Sequence, residues 1–251
     1  MLFHFSIFFW SLAFFLVMRF VAANEETSFW NAYLFSVGLL SAISLVSAKK
    51  ITRRLRNSFI PLLISFSAPS LMALIDAPGE RSVFALLSAG IFYTAFLALY
   101  RIRFVQDDGT ARSFLSIAAL SALFFFYAAE YGFYLNFSVP LASLVFVFSI
   151  GSFGVAYQTL YSALPHNRQR VFLYSLAIAF GMGQIAWMIS FWPFGYLTAG
   201  AAALAFFFIL WDMALSLFLG TLSRKRTIIY FLVSMGLIGL LIATSPWRIQ
   251  V

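Results

Sequence analysis

Asp212 is the residue of this sequence that could most readily take part in chemistry, because it is an ionisable side chain inside a long apolar segment. An ionised Asp at the centre of a membrane helix costs about 2.5–3.5 kcal/mol to insert, so such residues usually face a helix bundle or a water-filled cavity. We consider two roles for it. It either relays a proton or cation or contacts a polar substrate, or it is a neutral group bonded to Tyr or Ser that fixes helix packing. We favour the packing role, because polar residues often join membrane helices.

Helical periodicity predicts which side chains share a face with Asp212. With 3.6 residues per turn, Ala201, Ala205 and Ser216 lie on its side of the helix, and we expect this face to pack on protein. The positions expected to face lipid are Phe206, Phe207 and Leu210.

Further polar side chains inside apolar segments complete a candidate intramembrane site. Asp212 lies in the cytoplasmic half of its segment, whereas Gln184, at 1.5 Å per residue, lies about 20 Å from the cytoplasmic start of its own segment. The two side chains are therefore predicted at different depths, and Tyr174 or Ser175 matches Asp212 better. For Gln184 we favour an interhelical hydrogen bond. The candidate site consists of Asp212, Gln184, Ser216 and Tyr174.

Pro69 lies inside another apolar segment and predicts an irregular helix there. Proline has no N–H, so the carbonyl of Ser65 loses its usual helical donor. Ser67 and Ser70 are close enough in sequence to compensate. We predict a kinked or broken helix, a feature that can line a transporter cavity but is more commonly structural.

The sequence lacks the residues that several membrane chemistries need. None of its three lysines lies within an apolar segment, which excludes a retinal Schiff base. There is no Cys, and the only histidines are His4 and His166, which excludes a thiolate site, paired haem ligands and a His-rich zinc site. A second intramembrane carboxylate for an aspartyl dyad is missing. We therefore expect no catalytic residue, no metal and no cofactor.

A polar stretch at residues 107–112 superficially resembles a known motif. Its Asp108, Gly109, Ala111 and Arg112 resemble the Asp-Gly-x-x-Ala-Arg core of the CDP-alcohol phosphotransferases. One residue separates the Gly from the Ala where that family has two, and none of its later aspartates follow. Without them there is no carboxylate cage for paired metal ions, so we interpret the stretch as a polar turn.

The side chains discussed above lie within or between long apolar segments, and the structure of these segments must place them. Of the 251 residues, 63% are hydrophobic and 10% are charged, whereas a soluble domain is nearer half apolar and a quarter charged. About 20 helical residues cross a hydrocarbon core about 30 Å thick. We therefore predict an all-α transmembrane bundle forming one integral membrane domain, with no soluble domain and nine spans: 2–21, 29–46, 59–75, 83–100, 114–130, 139–160, 171–192, 196–219 and 227–244.

The basic residues predict the orientation of these spans. Clusters around Lys49, Arg101, Arg168 and Arg224 fall in alternate loops, which the positive-inside rule assigns to the cytoplasm. The N-terminus is then cytoplasmic and the C-terminus outside. If the first span were a cleaved signal peptide, as the small residues before Asn24 allow, eight spans would remain; we favour a retained helix.

Membrane lipids are the expected partners of two basic clusters, at about 1 kcal/mol per charge for anionic headgroups. A simple topology anchor is the favoured alternative for them. Nucleic acid is excluded as a partner despite a pI near 10.0, because the charges are dispersed between apolar runs. The clustered residues are Lys49, Lys50, Arg53, Arg54, Arg56, Arg224, Lys225 and Arg226.

Two functional hypotheses remain after these exclusions. The first is a non-enzymatic subunit or scaffold of a plasma or inner membrane, packing against another membrane protein or a second copy of itself. The second is a carrier for a lipid or a largely apolar solute, with a cavity near Pro69 and Asp212. A membrane enzyme ranks third, because no nucleophile can be assembled with a base.

Overall fold

The computed structural model describes residues 2–23, 29–52, 58–105, 108–137, 139–163 and 167–244. Within these ranges the chain forms nine α-helices and no strand. The helices are α1 (Leu2–Ala23), α2 (Phe29–Thr52), α3 (Phe59–Met72), α4 (Pro78–Phe104), α5 (Gly109–Asn136), α6 (Leu141–Ala163), α7 (Arg168–Ile189), α8 (Tyr196–Phe218) and α9 (Arg224–Thr244).

Seven of these described helices are long and apolar enough to cross a membrane, namely all except α3 and α9. With 14 residues, α3 is about 21 Å long, which is less than a hydrocarbon core of about 30 Å. The apolar part of α9, Thr227–Leu240, is also short. The chain is therefore an all-helical protein of membrane type, and nine complete crossings stay a prediction.

The helix ends differ from the apolar runs for local chemical reasons. Helix α4 begins at Pro78, whose fixed φ suits the first helical turn, five residues before the predicted limit. Helix α5 begins after Asp108, whose Oδ1 accepts hydrogen bonds from the backbone N–H groups of Thr110 and Ala111 at 3.0 and 3.1 Å. Helix α3 instead ends at Met72, three residues before its predicted limit. Hydropathy detects the apolar centre of a helix, whereas capping residues decide its ends.

The first compact unit comprises Met1–Ala129, and in it α3 contacts α1, α2 and α4. Eleven of the 14 residues of α3 are buried. Helix α1 buries Ile7, Phe14 and Met18, which recur at helical spacing, and the ring of Phe14 stacks on Phe92 of α4 at 4.5 Å. The short helix is thus the most enclosed element of this unit.

The second unit comprises Glu130–Val251 and is built on the close packing of α6 against α7. A Cβ at Gly183 would lie 2.5 Å from Oγ of Ser149, so glycine is required where the two helices approach. Tyr131 near the end of α5 donates a hydrogen bond to the carbonyl of Ala186 at 2.6 Å. Helix α8 packs on α7, and α9 packs on α8.

Candidate functional site

Asp212 is bonded to α9, the helix that follows it in the chain. The hydroxyl of Tyr230 donates a hydrogen bond to Oδ2 of Asp212 and lies 3.3 Å from Oγ of Ser216. The structure thus brings two of the predicted site residues together through a tyrosine that our sequence analysis missed. A signal for it exists, because Asp212 and Tyr230 each lie nine residues from Thr221, at the centre of the intervening loop. A helical hairpin places such positions at equal depth.

The other predicted neighbours of Asp212, Tyr174 and Ser175, make contacts with other residues instead. The ring of Tyr174 lies against Phe218 at a centroid distance of 4.9 Å. Oγ of Ser175 donates to the carbonyl of Val171, one turn earlier in its own helix, at 2.8 Å. Predicted depth in the membrane therefore suggested the wrong hydrogen-bond donor for Asp212, because depth does not specify which neighbouring helix covers this residue.

The predicted faces of α8 require a correction. Phe207 was expected to face lipid but is 1% exposed, whereas Ala201 was expected to pack on protein and is exposed. The buried face passes through Ala203, Phe207 and Ala214. Asp212 is only partly buried and lies on a different side, towards α9. Helix α8 therefore packs on two sides, which a single-face interpretation of the small residues did not anticipate.

Gln184 lies on the surface of α7 beside an apolar groove. Its side chain is exposed and makes no hydrogen bond with any described residue. The groove has a volume of about 630 Å³ and lies between α6 and α7. Neither Asp212 nor Ser216 lines it, so Gln184 and the Asp212 cluster are separate features.

Pro69 lies in the buried helix α3, which continues without a break to Met72. Oγ of Ser70 donates to the carbonyl of Phe66 at 2.7 Å and accepts a hydrogen bond from the hydroxyl of Tyr33 at the same distance. Oγ of Ser67 is buried and has no partner among the described residues. The residues around Pro69 thus join α3 to α2, and the predicted kink stays a prediction.

A second contact of the same kind lies farther along the two helices. The hydroxyls of Ser44 on α2 and Ser65 on α3 are 2.5 Å apart. Beyond the end of α3, Nε of Arg81 donates to the carbonyl of Ile75, in the connection to α4, at 2.5 Å. Pro69 belongs to the first unit and Asp212 to the second, and the cavity predicted near both residues stays a prediction.

Basic residues of the first unit lie in the last turns of α2 and α4, which meet at one end of that unit. Lys49 and Lys50 are exposed in the last turn of α2, where the helix dipole favours positive charge, and Nζ of Lys50 lies 5.5 Å from the ring centroid of Trp10. Nη1 of Arg103 donates to the carbonyl of Ile51 at 2.6 Å. Arg224, Lys225 and Arg226 begin α9, and Arg53, Arg54 and Arg56 lie outside the described residues.

The polar stretch at 107–112 caps helix α5. Asp108 accepts a hydrogen bond from the hydroxyl of Thr110 at 2.6 Å, and its Oδ2 lies 2.7 Å from Nη2 of Arg101. The bond from Thr110, the backbone N–H of Ala111 and the charge of Arg101 hold the pKa of Asp108 below its ordinary value. Asp107 lies outside the described residues. Asp108 is thus engaged in capping and in an ion pair.

In the part of the chain that the structure describes, no three His, Cys, Asp or Glu side chains lie close enough to hold a metal ion. The helices and their contacts define an apolar, all-helical protein of membrane type. The chain belongs to the family described as "Protein of unknown function (DUF5656)", whose profile matches residues 27–244. That match covers α2 to α9. Comparison with curated proteins and with solved structures finds no match.

Proposed function

We propose that this protein is a non-enzymatic subunit of a cell-membrane assembly, in which α9 packs against a transmembrane helix of another protein. The first support is the use of polar side chains within its helices. Tyr230 bonds Asp212 between α9 and α8, and Tyr33 bonds Ser70 between α2 and α3. These polar side chains are engaged in packing helices of this chain against one another, so the described ones are not arranged around a shared reaction site.

The observation that carries the proposal is the outward face of α9. This helix packs on α8 through the side that holds Tyr230, whereas Leu232 and Leu240 are exposed, Leu232 at 62%. Gly239 lies about 180° around the helix from Tyr230. A Cβ at Gly236 or Gly239 would have nothing within 4 Å. The outward face therefore combines large apolar residues with a notch, the open space beside Gly236 and Gly239.

Small residues on an exposed membrane helix favour a protein partner over lipid. They let two backbones approach closely, and this packing replaces the hydrophobic driving force that is absent between helices in a bilayer. A partner helix would therefore lie across Gly236 and Gly239. Leu232 would fill a gap on its surface.

A lipid or apolar-solute carrier is the second candidate function, and the groove beside Gln184 is the observation that favours it. Neither Pro69 nor Asp212 lines this groove. For a carrier, the binding cavity would therefore lie between α6 and α7.

Site-specific photo-crosslinking in intact membranes tests the subunit proposal. A photoreactive residue at position 232 should give one discrete protein adduct, and one at the exposed position Leu86 of α4 should give none. Gly239→Leu should abolish the adduct by filling the notch. The matched control is Gly90→Leu on α4, another glycine with nothing within 4 Å of its Cβ, which should leave the adduct intact. Adducts with lipid alone, with a second copy of this chain, or insensitive to Gly239→Leu would contradict the proposal.

A further inference from the structure

The groove between α6 and α7 opens at one end of this helix pair. It runs from Leu141, the first residue of α6, to Ser149, which is about 12 Å along the helix axis. On α7 it extends from Phe180 to Trp187, two residues before the helix ends. Tryptophan is enriched where membrane helices meet the polar interface. The groove thus leads from the interface into the hydrocarbon region.

The walls of the groove are apolar and its floor is closely packed. Phe146, Phe180 and Trp187 line it and are each more than half exposed. The described residues that line it carry no charge. Its floor lies where Gly183 meets Ser149 so closely that a Cβ would not fit. Its volume of about 630 Å³ falls within the range of about 300–1,000 Å³ that is typical of small-molecule sites.

Gln184 adds an unused hydrogen-bonding group to this apolar wall. It lies five residues before the end of α7, about 8 Å along the axis. An amide offers two donor hydrogens and an acceptor oxygen, and these are costly to leave unpaired in hydrocarbon. Its neighbour in the groove, Ser149, donates its own proton to the carbonyl of Val145 at 2.8 Å. An occupant of the groove should therefore carry both an apolar body and a carbonyl or hydroxyl group.

We infer that this groove binds one neutral glycerolipid, with an acyl chain along Phe146 and Phe180 and an ester carbonyl or hydroxyl bonded to the amide of Gln184. The lining favours this class, because its apolar side chains suit an acyl chain, the amide of Gln184 suits an ester carbonyl or hydroxyl, and the described lining residues offer no charge to an ionised headgroup. The site depends on α6 and α7 alone, so it stands or fails separately from the partner surface on α9.

Labelling with a photoactivatable diacylglycerol tests the inference on the full chain in phosphatidylcholine nanodiscs. We expect saturable labelling that maps to residues 141–149 or 180–187. Gln184→Leu removes the amide but keeps a similar apolar volume, and it should raise the half-saturating concentration about fivefold to tenfold. Ala142→Phe fills the exposed mouth of the groove and should abolish saturable labelling.

Met188→Leu is the matched control, since Met188 is exposed on the same helix but does not line the groove. It should label like the wild type. Labelling spread over all lipid-facing helices and unchanged by Gln184→Leu and Ala142→Phe would overturn the inference. So would a protein adduct formed from a photoreactive residue at position 184 in native membranes.

Discussion

Several polar residues inside the helices, among them Asp212, Ser70 and Ser44, are bonded to a neighbouring helix, and the sequence predicted only part of this. The sequence pointed to Asp212 as unusual and to a Tyr or Ser hydroxyl as its partner. It suggested Tyr174 or Ser175, whereas the structure supplies Tyr230. Helical periodicity tells which side chains share a face of one helix, but the neighbour that covers the face is a tertiary property. Gln184 was expected to join two helices and instead lies exposed in a groove.

Replacing Tyr230 by Phe should destabilise the protein by about 1 kcal/mol, because it removes the hydroxyl that donates to Asp212. Tyr174→Phe is the matched control, since Tyr174 contacts Phe218 through its ring. Thermal unfolding in detergent measures both variants. Equal melting temperatures for Tyr230→Phe and the wild type would show that this bond contributes nothing.

Gly183→Ala should cost about 1–3 kcal/mol, because its new Cβ would meet Oγ of Ser149 at 2.5 Å. Adding Ser149→Ala removes the clashing atom and should recover part of the loss, which a double-mutant cycle measures as coupling. Gly90→Ala, with nothing within 4 Å, serves as control. Additive effects of the two substitutions would mean that the helices do not approach here as described.

At the level of helices, hydropathy located each element, while capping and proline chemistry set its length. Helix α5 extends well beyond the apolar run 114–130, because Asp108 caps its start. Helix α3 ends early at Met72, where the N–H groups of Leu74 and Ile75 bond to the carbonyls of Leu71 and Met72 in a tighter turn. The hydroxyl contacts that join α3 to α2 were not predicted, because serine is common in loops as well as at helix interfaces.

Asp108→Ala should lower the melting temperature at pH 7, because α5 loses its cap and Arg101 loses its partner. The pKa of Asp108 is lower in the folded than in the unfolded protein. Its charged form therefore stabilises the fold at any pH above the ordinary pKa of 3.8. That contribution is lost as the pH falls through the lower folded value. The gap between Asp108→Ala and wild type should therefore narrow in acid.

Asp76→Ala removes the same charge from an exposed loop and is the matched control for this pH series. Its melting temperature should follow that of the wild type at each pH. A gap for Asp108→Ala that stays constant from pH 7 to strong acid would contradict a role for the ionised carboxylate.

For the whole molecule, composition predicted the class of protein, and the distribution of basic residues predicts its orientation. Within the first unit, the contact of Tyr33 with Ser70 and that of Ser44 with Ser65 make α2 and α3 antiparallel. Arg103 meets the carbonyl of Ile51 at one end of that unit, and Arg19 meets Ser82 at the other. The partner surface proposed on α9 depends on which side chains are exposed, and composition does not specify that.

Single-cysteine labelling tests the orientation cleanly, because the chain has no native Cys. An impermeant maleimide applied to intact cells should label Gly79→Cys and Gly195→Cys, which lie in predicted outer loops. Asn167→Cys and Thr221→Cys should react only after the membrane is opened. All four positions are exposed. Labelling of Asn167→Cys from outside, or protection of Gly79→Cys, would contradict the alternating arrangement of nine spans.

Native mass spectrometry of the protein released with its surrounding lipid tests the central claim of a subunit role most directly. The wild type should appear as one 28.2 kDa chain bound to one further protein of constant mass. Gly239→Leu should release the free chain, whereas Gly90→Leu should keep the complex. A wild-type chain that appears alone, or only as a pair of identical chains, would contradict the account.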